Sequence, residues 1–374
     1  MKRIAIAVLA LLASQGALSD SPDAQADAFV RSTMREHQIP GVVLGVARNG
    51  HLVKATGHGY ANVELRVPVS TASLFQSGSV AKQITATAIM MLVTEGKIGL
   101  DDPLSKYFPE SRDSPSRDVT VRQLLTHTSG LPDIYDATGE ASSGIIDFRR
   151  DYTEDDLLKA YLAVSLDFPP GDKFNYSNTG YEILGILIHR VTGEFHGDFL
   201  QRRIFRPLGM TSTRIISEED IVPNRVAGYR IVDGKLKNQE WIAPSLNTTA
   251  DGGLYTNVID LAKWDAALYT EKLLPRSALE QMWTPVRLNS GATYAYGFGW
   301  ELDTVNGHPV VSHTGSNQGF AISISRYMRD RLTVIVLTNL DSDHSSTLEI
   351  AEAVAAMYVP ALKRPLMPGA SPGT

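Results

Sequence analysis

The chain has 374 residues, a formal net charge of −6 and no cysteine. A mildly acidic chain with interspersed charges is a poor partner for nucleic acid, and the lack of cysteine excludes disulfides and a lipid-modified cysteine anchor. The length exceeds the usual size of a single lobe, so we expect a large buried core divided between two lobes.

Residues 1–19 have the pattern of a secretory signal peptide. Lys2 and Arg3 precede an apolar stretch at 4–13 that is too short to cross a bilayer, and Ala-Leu-Ser occupies 17–19. We therefore expect cleavage before Asp20, a periplasmic or secreted bacterial protein, and no transmembrane segment in the mature chain. An uncleaved membrane anchor is the less favoured alternative.

Strands are predicted near both ends of the chain, with helices between them. An amphipathic helix at 22–38 is followed by two strands joined by Asn49-Gly50, a dipeptide typical of tight hairpins. Asn306-Gly307 and Asp233-Gly234 indicate two further hairpins. The other helices are predicted at 84–93, 121–126, 154–164, 181–191, 198–205, 258–268 and 346–358, and the strands at 41–48, 51–56, 297–302, 309–312, 318–326 and 332–339.

This order predicts an α+β fold in which both chain ends build one antiparallel sheet. The terminal helices would flank that sheet, and an all-helical lobe would be inserted into it. We expect one domain at 20–364, with a sheet lobe at about 20–78 and 290–360 and a helical lobe at about 79–289, followed by a disordered tail at 365–374. A cleft is expected where the two lobes meet.

Ser79 and Lys82 lie at the start of the apolar helix predicted at 84–93. Residues three apart share one face of a helix, so the Lys82 ammonium can reach the Ser79 hydroxyl. A serine becomes a good nucleophile when a base removes its proton, and burial can lower the pKa of a lysine enough for that task. Taken alone, the pattern more often marks an N-cap serine followed by a solvated lysine.

Two later motifs strengthen the catalytic interpretation. Tyr176-Ser177-Asn178 follows a Pro-Pro-Gly loop and precedes a predicted helix, and His313-Thr314-Gly315 ends a predicted strand. Tyr-x-Asn also occurs at Tyr60 and Tyr255, but neither of these has that setting. A further segment, Leu-Leu-Thr-His-Thr-Ser-Gly, contains His127, which the family resemblance described next implies to be a structural residue packed beneath the site.

The order of these motifs resembles that of the serine β-lactamase and penicillin-recognising superfamily, in its class C β-lactamase and serine D-alanyl-D-alanine carboxypeptidase branch. The resemblance covers nearly all of the mature chain and implies the same split-sheet fold. It implies that Ser79 forms an acyl-enzyme, with Lys82 and Tyr176 sharing the proton transfers and a cationic Lys82 lowering the pKa of Tyr176. The implied substrate-binding residues are Asn178, His313, Thr314, Gly315 and Ser316, and the backbone N–H groups of Ser79 and Ser316 would form the oxyanion hole.

Histidine at 313 differs from the lysine of the typical β-lactamase, and carboxypeptidase, aminopeptidase and esterase relatives more often carry histidine. We therefore expect a hydrolase of D-amino-acid peptide or small ester bonds, with a small molecule or peptide as substrate and with weak β-lactam turnover. If cationic, His313 would hold a substrate carboxylate. The alternatives are a class C-like β-lactamase and a penicillin-binding sensor or scaffold that is acylated without turnover. We expect no cofactor and no metal, and the oligomeric state stays open.

Overall fold

The computed structural model describes residues 21–134, 146–217, 219–341 and 345–364. The predicted signal peptide, the predicted tail and most of the loop between Asp133 and Asp147 lie outside the described residues. No helix in the described part of the chain combines the length and apolar character needed to cross a bilayer.

Fifteen strands are present in the described ranges, and seven of them form the main sheet. In chain order they are β1 Gly41–Arg48, β2 His51–Asn62, β3 Val67–Pro68, β4 Phe75–Gln76, β5 Arg214–Ile215, β6 Tyr229–Val232, β7 Lys235–Asn238, β8 Leu254–Thr256, β9 Val286–Arg287, β10 Thr293–Tyr294, β11 Glu301–Val305, β12 His308–Asn317, β13 Phe320–Tyr327, β14 Leu332–Thr338 and β15 Leu340–Asp341.

The α-helices lie before, within and after this series of strands. They are α1 Pro22–Glu36, α2 Ala81–Thr94, α3 Leu104–Tyr107, α4 Val121–Leu125, α5 Glu154–Ala163, α6 Asn178–Thr192, α7 His196–Leu200, α8 Arg206–Leu208, α9 Val258–Ala267, α10 Arg276–Met282 and α11 Ser345–Tyr358. Short 3₁₀ turns occur at Gly78–Val80, Pro109–Ser111, Pro244–Asn247 and Pro360–Leu362, and a π-helical turn at Gln201–Phe205.

The main sheet has the order β11-β12-β13-β14-β1-β2-β3, and its pairs are antiparallel. The amino-terminal strand β1 therefore pairs with β14 from the far end of the chain, which confirms the predicted α+β fold with a sheet made from both ends. The Asn49-Gly50 and Asn306-Gly307 turns have positive φ at both residues, as a type I′ hairpin requires. The Asp233-Gly234 turn has the same backbone geometry and joins β6 to β7.

Both faces of the sheet are covered, so β1 is buried along nearly its whole length. Val42 and Leu44 on one face belong to a core shared with α1 and α11, while Val43 on the other belongs to the core of the helical region. This alternation follows from the two-residue period of a strand. The burial of both faces explains why the sequence of β1 is apolar throughout rather than alternating.

Several predicted elements differ in their bounds; the strand predicted at 297–302, for example, runs over Glu301–Val305. The helix predicted at 84–93 extends over Ala81–Thr94, and Ser79 lies in the preceding 3₁₀ turn rather than in the α-helix. The helix predicted at 181–191 begins at Asn178. The segment 198–205 is divided between α7 and the π-helical turn, a local distortion that the hydrophobic pattern does not encode.

Candidate active site

Ser79 lies where the chain leaves β4 and enters α2, pressed against the end of β12. A β-carbon placed on Gly78 would lie 2.7 Å from the backbone nitrogen of Ser316, and Gly78 has a φ of +49°. A β-carbon on Gly315 would lie 2.2 Å from the Ser77 carbonyl oxygen and 2.8 Å from the Ser79 nitrogen. Both glycines are therefore required for the turn that contains Ser79 to approach the β12 backbone this closely.

Lys82 is fully buried and completely hydrogen-bonded. Its ammonium donates to Ser79 Oγ at 2.9 Å, to Asn178 Oδ1 at 2.6 Å and to the Asp251 carbonyl oxygen at 3.0 Å. Burial lowers the pKa of Lys82 to about 8, and the negative charges of Asp251, Asp133 and Glu182 oppose that shift. A lysine with this pKa is partly neutral near physiological pH, so it is chemically able to accept a proton from Ser79.

Tyr176 lies on the other side of Ser79, with its ring stacked on the His127 imidazole at a centroid distance of 4.1 Å. Its hydroxyl is buried and completes no hydrogen bond with the described residues. Burial raises the pKa of Tyr176 well above its usual range, and the interaction with Ser79 only partly offsets this effect. The expectation that a cationic Lys82 lowers the pKa of Tyr176 is therefore wrong, because desolvation of the phenolate dominates.

Asn178 is the first residue of α6, and its amide joins Lys82 to an acidic residue. The carboxylate of Asp133 accepts from Asn178 Nδ2 at 2.9 and 3.2 Å, while Asn178 Oδ1 accepts from Lys82. The side chain is thereby held with its oxygen toward the lysine. Asn178 also lines the cleft described below, so it is placed both to orient Lys82 and to meet a substrate.

His313 lies behind the cleft rather than in its lining. His313 is only 2% exposed. Its Nδ1 donates to the Thr314 carbonyl oxygen at 2.5 Å, and its Nε2 lies 2.9 Å from the Tyr296 hydroxyl. Direct binding of a substrate carboxylate by His313 therefore disagrees with the geometry, since β12 turns this side chain into the protein. Thr314 and Gly315 are likewise absent from the cleft lining, whereas Ser316 is part of it.

His127 is in contact with Tyr176, Ser177 and Tyr296. It accepts the backbone N–H of Ser177 at Nδ1 and lies 3.1 Å from the Tyr296 hydroxyl at Nε2. Burial lowers the pKa of His127 well below its usual range, aided by the positive charge of Lys82, so the ring is neutral and Nε2 carries its hydrogen. The Tyr296 hydroxyl thus lies between His127, which accepts from the backbone of the Tyr176-Ser177-Asn178 motif, and His313 of the His-Thr-Gly motif.

Sequence reasoning missed four residues around the site: Asp133, Asp251, Glu182 and Tyr296. Burial raises the pKa of the Glu182 carboxyl well above its usual range, with the charge of Asp251 adding to the effect, and the Tyr161 hydroxyl donates to it. Glu182 follows Asn178 by one turn of α6, a spacing that was available as a signal. Asp251 and Tyr296 belong to glycine-containing segments, and nothing in their local pattern indicates that they approach Lys82 and His313.

The cleft above these residues has a volume of about 610 Å³. Ser79, Tyr176, Asn178 and Asp251 form its floor, together with the backbone of Gly78 and Gly252. Neither Tyr60 nor Tyr255 lines it: Tyr60 is 44% exposed on β2, and Tyr255 is buried on β8. Of the three Tyr-x-Asn motifs, only that of Tyr176 thus meets Ser79. The outer walls are contributed by the segments 148–149, 240–242 and 316–318 and by Asp341.

Comparison with known proteins finds a matching family and curated relatives. The beta-lactamase family model matches residues 26–357. Penicillin-binding protein 4* of Bacillus subtilis is 32% identical over 323 residues, which cover 82% of this chain and 70% of that protein. The chain spans 65% to 70% of the length of the first curated relatives that it matches.

Two solved structures show how far the similarity of the fold extends. The octameric penicillin-binding protein homologue from Pyrococcus abyssi is 30% identical, with a TM-score of 0.76, and the match covers 90% of this chain and 77% of that one. The D-amino acid amidase from Ochrobactrum anthropi SV3, in its complex with D-phenylalanine, is 25% identical, with a TM-score of 0.75 and coverage of 90% and 99%. With the family match spanning both chain ends and the helices between them, this chain belongs to the beta-lactamase family and is a serine hydrolase.

Proposed function

We propose that the protein is an exported hydrolase that forms an acyl-enzyme on Ser79 and cleaves the amide or ester bonds of D-amino-acid derivatives, including D-amino-acid peptides, and of small esters. The observation that carries this proposal is the 2.9 Å contact between Lys82 Nζ and Ser79 Oγ at the floor of the 610 Å³ cleft. The similarity to D-amino acid amidase and to a D-stereospecific amidohydrolase supports the choice of substrate class. The pattern of residues 1–19 supports export.

In the proposed acylation step, neutral Lys82 takes the Ser79 proton and Oγ attacks the carbonyl carbon. The negative charge that develops on the carbonyl oxygen is stabilised by the backbone N–H groups of Ser79 and Ser316. The two donors are expected on one side of the carbonyl because Gly78 and Gly315 bring their backbones together. Collapse of the tetrahedral intermediate breaks the bond to the leaving group and forms the ester with Ser79.

Tyr176 is suited to the second proton transfer. Its raised pKa keeps the phenol protonated, so it can donate to the leaving nitrogen or oxygen when the bond breaks. The phenolate that forms is then returned to the neutral state by the Lys82 ammonium, whose Nζ lies 5.0 Å from the ring centroid. In the proposed deacylation step, Lys82 accepts the Tyr176 proton, and the resulting phenolate accepts a proton from the water that attacks the acyl-enzyme. The Lys82 ammonium then returns its proton to Ser79 Oγ as the ester bond breaks, and Ser79 is regenerated.

A small panel of substrates tests the proposal. Nitrocefin, p-nitrophenyl acetate, p-nitrophenyl butyrate, D-phenylalanine amide and a D-alanyl-D-alanine peptide are offered to the wild-type protein and to Ser79→Ala. We expect turnover of the esters and the D-amino-acid amide that requires Ser79, and slow turnover of nitrocefin. Efficient nitrocefin hydrolysis alone would indicate a β-lactamase, and a fluorescent penicillin adduct that persists for hours without turnover of the panel would indicate a sensor.

A further inference from the structure

The charged side chains of the cleft are distributed unevenly. Its lining contains the carboxylates of Glu240, Asp251 and Asp341, and one exposed cation, Arg149. Asp251 is buried at the floor beside Lys82, and Glu240 pairs with Arg230 at 3.3 Å. Asp341 differs from both, because it is exposed to the cleft and, among the described residues, has no ion-pair partner.

Asp341 is held close to the position where the scissile carbonyl would lie. It ends β15, which pairs in parallel with β6, and its Oδ1 accepts from Ser316 Oγ at 2.6 Å. The backbone N–H of Ser316 is a proposed oxyanion donor, so the Asp341 carboxylate lies one side chain away from the reacting atoms. The hydrogen bond from Ser316 occupies one oxygen of the carboxylate, and no described residue donates to the other.

No cation of the described surrounding elements forms an ion pair with Asp341. Arg230 is the register partner of Asp341 on β6, but its guanidinium interacts with Glu240 and with the Asn238 carbonyl oxygen. Lys82 is occupied by Ser79, Asn178 and Asp251, and His313 is buried behind the cleft. Arg149 lines the same cleft, and within the described residues its guanidinium forms no ion pair with Asp341.

We propose that Asp341 is a specificity-determining residue that selects substrates carrying a free ammonium group beside the scissile carbonyl and disfavours substrates carrying a carboxylate there. This inference rests on the proposed function, and it narrows the substrate class to D-amino-acid amides, peptides and esters with an unblocked amino group. Opposite charges attract across the cleft and like charges repel, so the same carboxylate accounts for both preferences. It would also weaken the binding of β-lactams, which carry a carboxylate, in line with the weak β-lactam turnover that we expect.

The test compares three substrates with one leaving group: the p-nitroanilides of D-alanine, N-acetyl-D-alanine and N-succinyl-D-alanine, which are cationic, neutral and anionic. Asp341→Asn removes the charge and keeps an oxygen that can accept from Ser316. We expect kcat/KM for the cationic substrate to fall about tenfold and that for the anionic one to rise, with p-nitrophenyl acetate changed less than about twofold. Asp341→Lys should invert the preference, and Asp113→Asn, an exposed acidic residue outside the cleft, should change nothing.

Binding to the Ser79→Ala protein separates this proposal from the proposed function. Calorimetry with D-alaninamide and with N-acetyl-D-alanine should show tighter binding of the cation, and Asp341→Asn in that background should remove the difference. High salt should weaken the preference of the wild type and leave the Asp341→Asn variant unaffected. Equal effects of Asp341→Asn on all three substrates and both ligands would overturn the role of Asp341, whether or not the panel above is hydrolysed.

Discussion

The floor and the rim of the cleft differ in burial and in hydrogen bonding. On the floor, Lys82 is fully buried, and its ammonium donates to Ser79, Asn178 and Asp251. On the rim, the side chains of Trp241, which is 59% exposed, and of Asp341 are open to solvent. We therefore infer that the floor determines the chemistry of the reaction and that the rim selects the substrate.

Burial on the floor also supports the proposed roles of Lys82 and Tyr176 in proton transfer. It lowers the pKa of Lys82 to about 8 and raises that of Tyr176 well above its usual range. Both shifts favour the neutral form, because a low-dielectric environment disfavours charge of either sign. A neutral lysine accepts a proton and a neutral phenol donates one, so Lys82 is the better base for acylation and Tyr176 the better acid for leaving-group departure.

The largest expected effect lies at Ser79, the proposed nucleophile on the floor. Ser79→Ala should reduce turnover by about six orders of magnitude, to background, since no other hydroxyl occupies its position. The fold should persist, because the alanine fits the same turn. Labelling with a fluorophosphonate probe, read beside the thermal unfolding midpoint, checks both statements, and full labelling of the variant would refute the assignment.

Tyr176→Phe tests the proton donor and should have the next largest effect. The phenylalanine ring keeps the stacking on His127 and removes only the hydroxyl. We expect kcat to fall by about two to four orders of magnitude, the usual contribution of a general acid–base group. Tyr60→Phe and Tyr255→Phe serve as controls and should retain activity close to that of the wild type. Equal losses in all three variants would show that the effect is structural.

Gly315→Ala tests the close approach that we propose builds the oxyanion hole. The added methyl group would lie 2.2 Å from the Ser77 carbonyl oxygen, so the backbone must shift. We expect a loss of about 1–3 kcal/mol in the free energy of unfolding, and a loss of activity larger than this destabilisation explains. Gly180→Ala is the matched control, because its nearest neighbour would lie 3.4 Å away; urea denaturation and kcat on both variants decide the matter.

The smallest expected effect is a displaced pH profile. If Lys82 must lose its proton to act as a base, kcat/KM should rise with pH through about 8, where its pKa lies. Asp251→Asn removes a negative charge that raises the pKa of Lys82, so the rising limb should move to lower pH by about one unit or less. The carbonyl oxygen that accepts from Lys82 is unaffected by this change. A limb that stays in place, or moves to higher pH, would contradict Lys82 as the base.

The local parts of the fold were predictable because their causes are local. The Asn49-Gly50 and Asn306-Gly307 hairpins follow from the positive φ that these residues tolerate. The contact between Ser79 and Lys82 follows from a spacing of three residues along one turn. The bounds of the helix after Tyr176 were less accurate, since the polar residues 178–180 that begin α6 carry no apolar signal.

The sequence by itself determined the fold class, the order of the motifs and the family, because periodicity, turn chemistry and motif spacing are properties of short segments. Only the tertiary structure decided that His313 turns away from the cleft toward Tyr296, that Asp251 meets Lys82 across 169 residues, and that Asp341 approaches Ser316. The direction of the Tyr176 pKa shift was decided in the same way. Burial and long-range proximity arise only when distant segments pack, and no local pattern encodes which of them will meet.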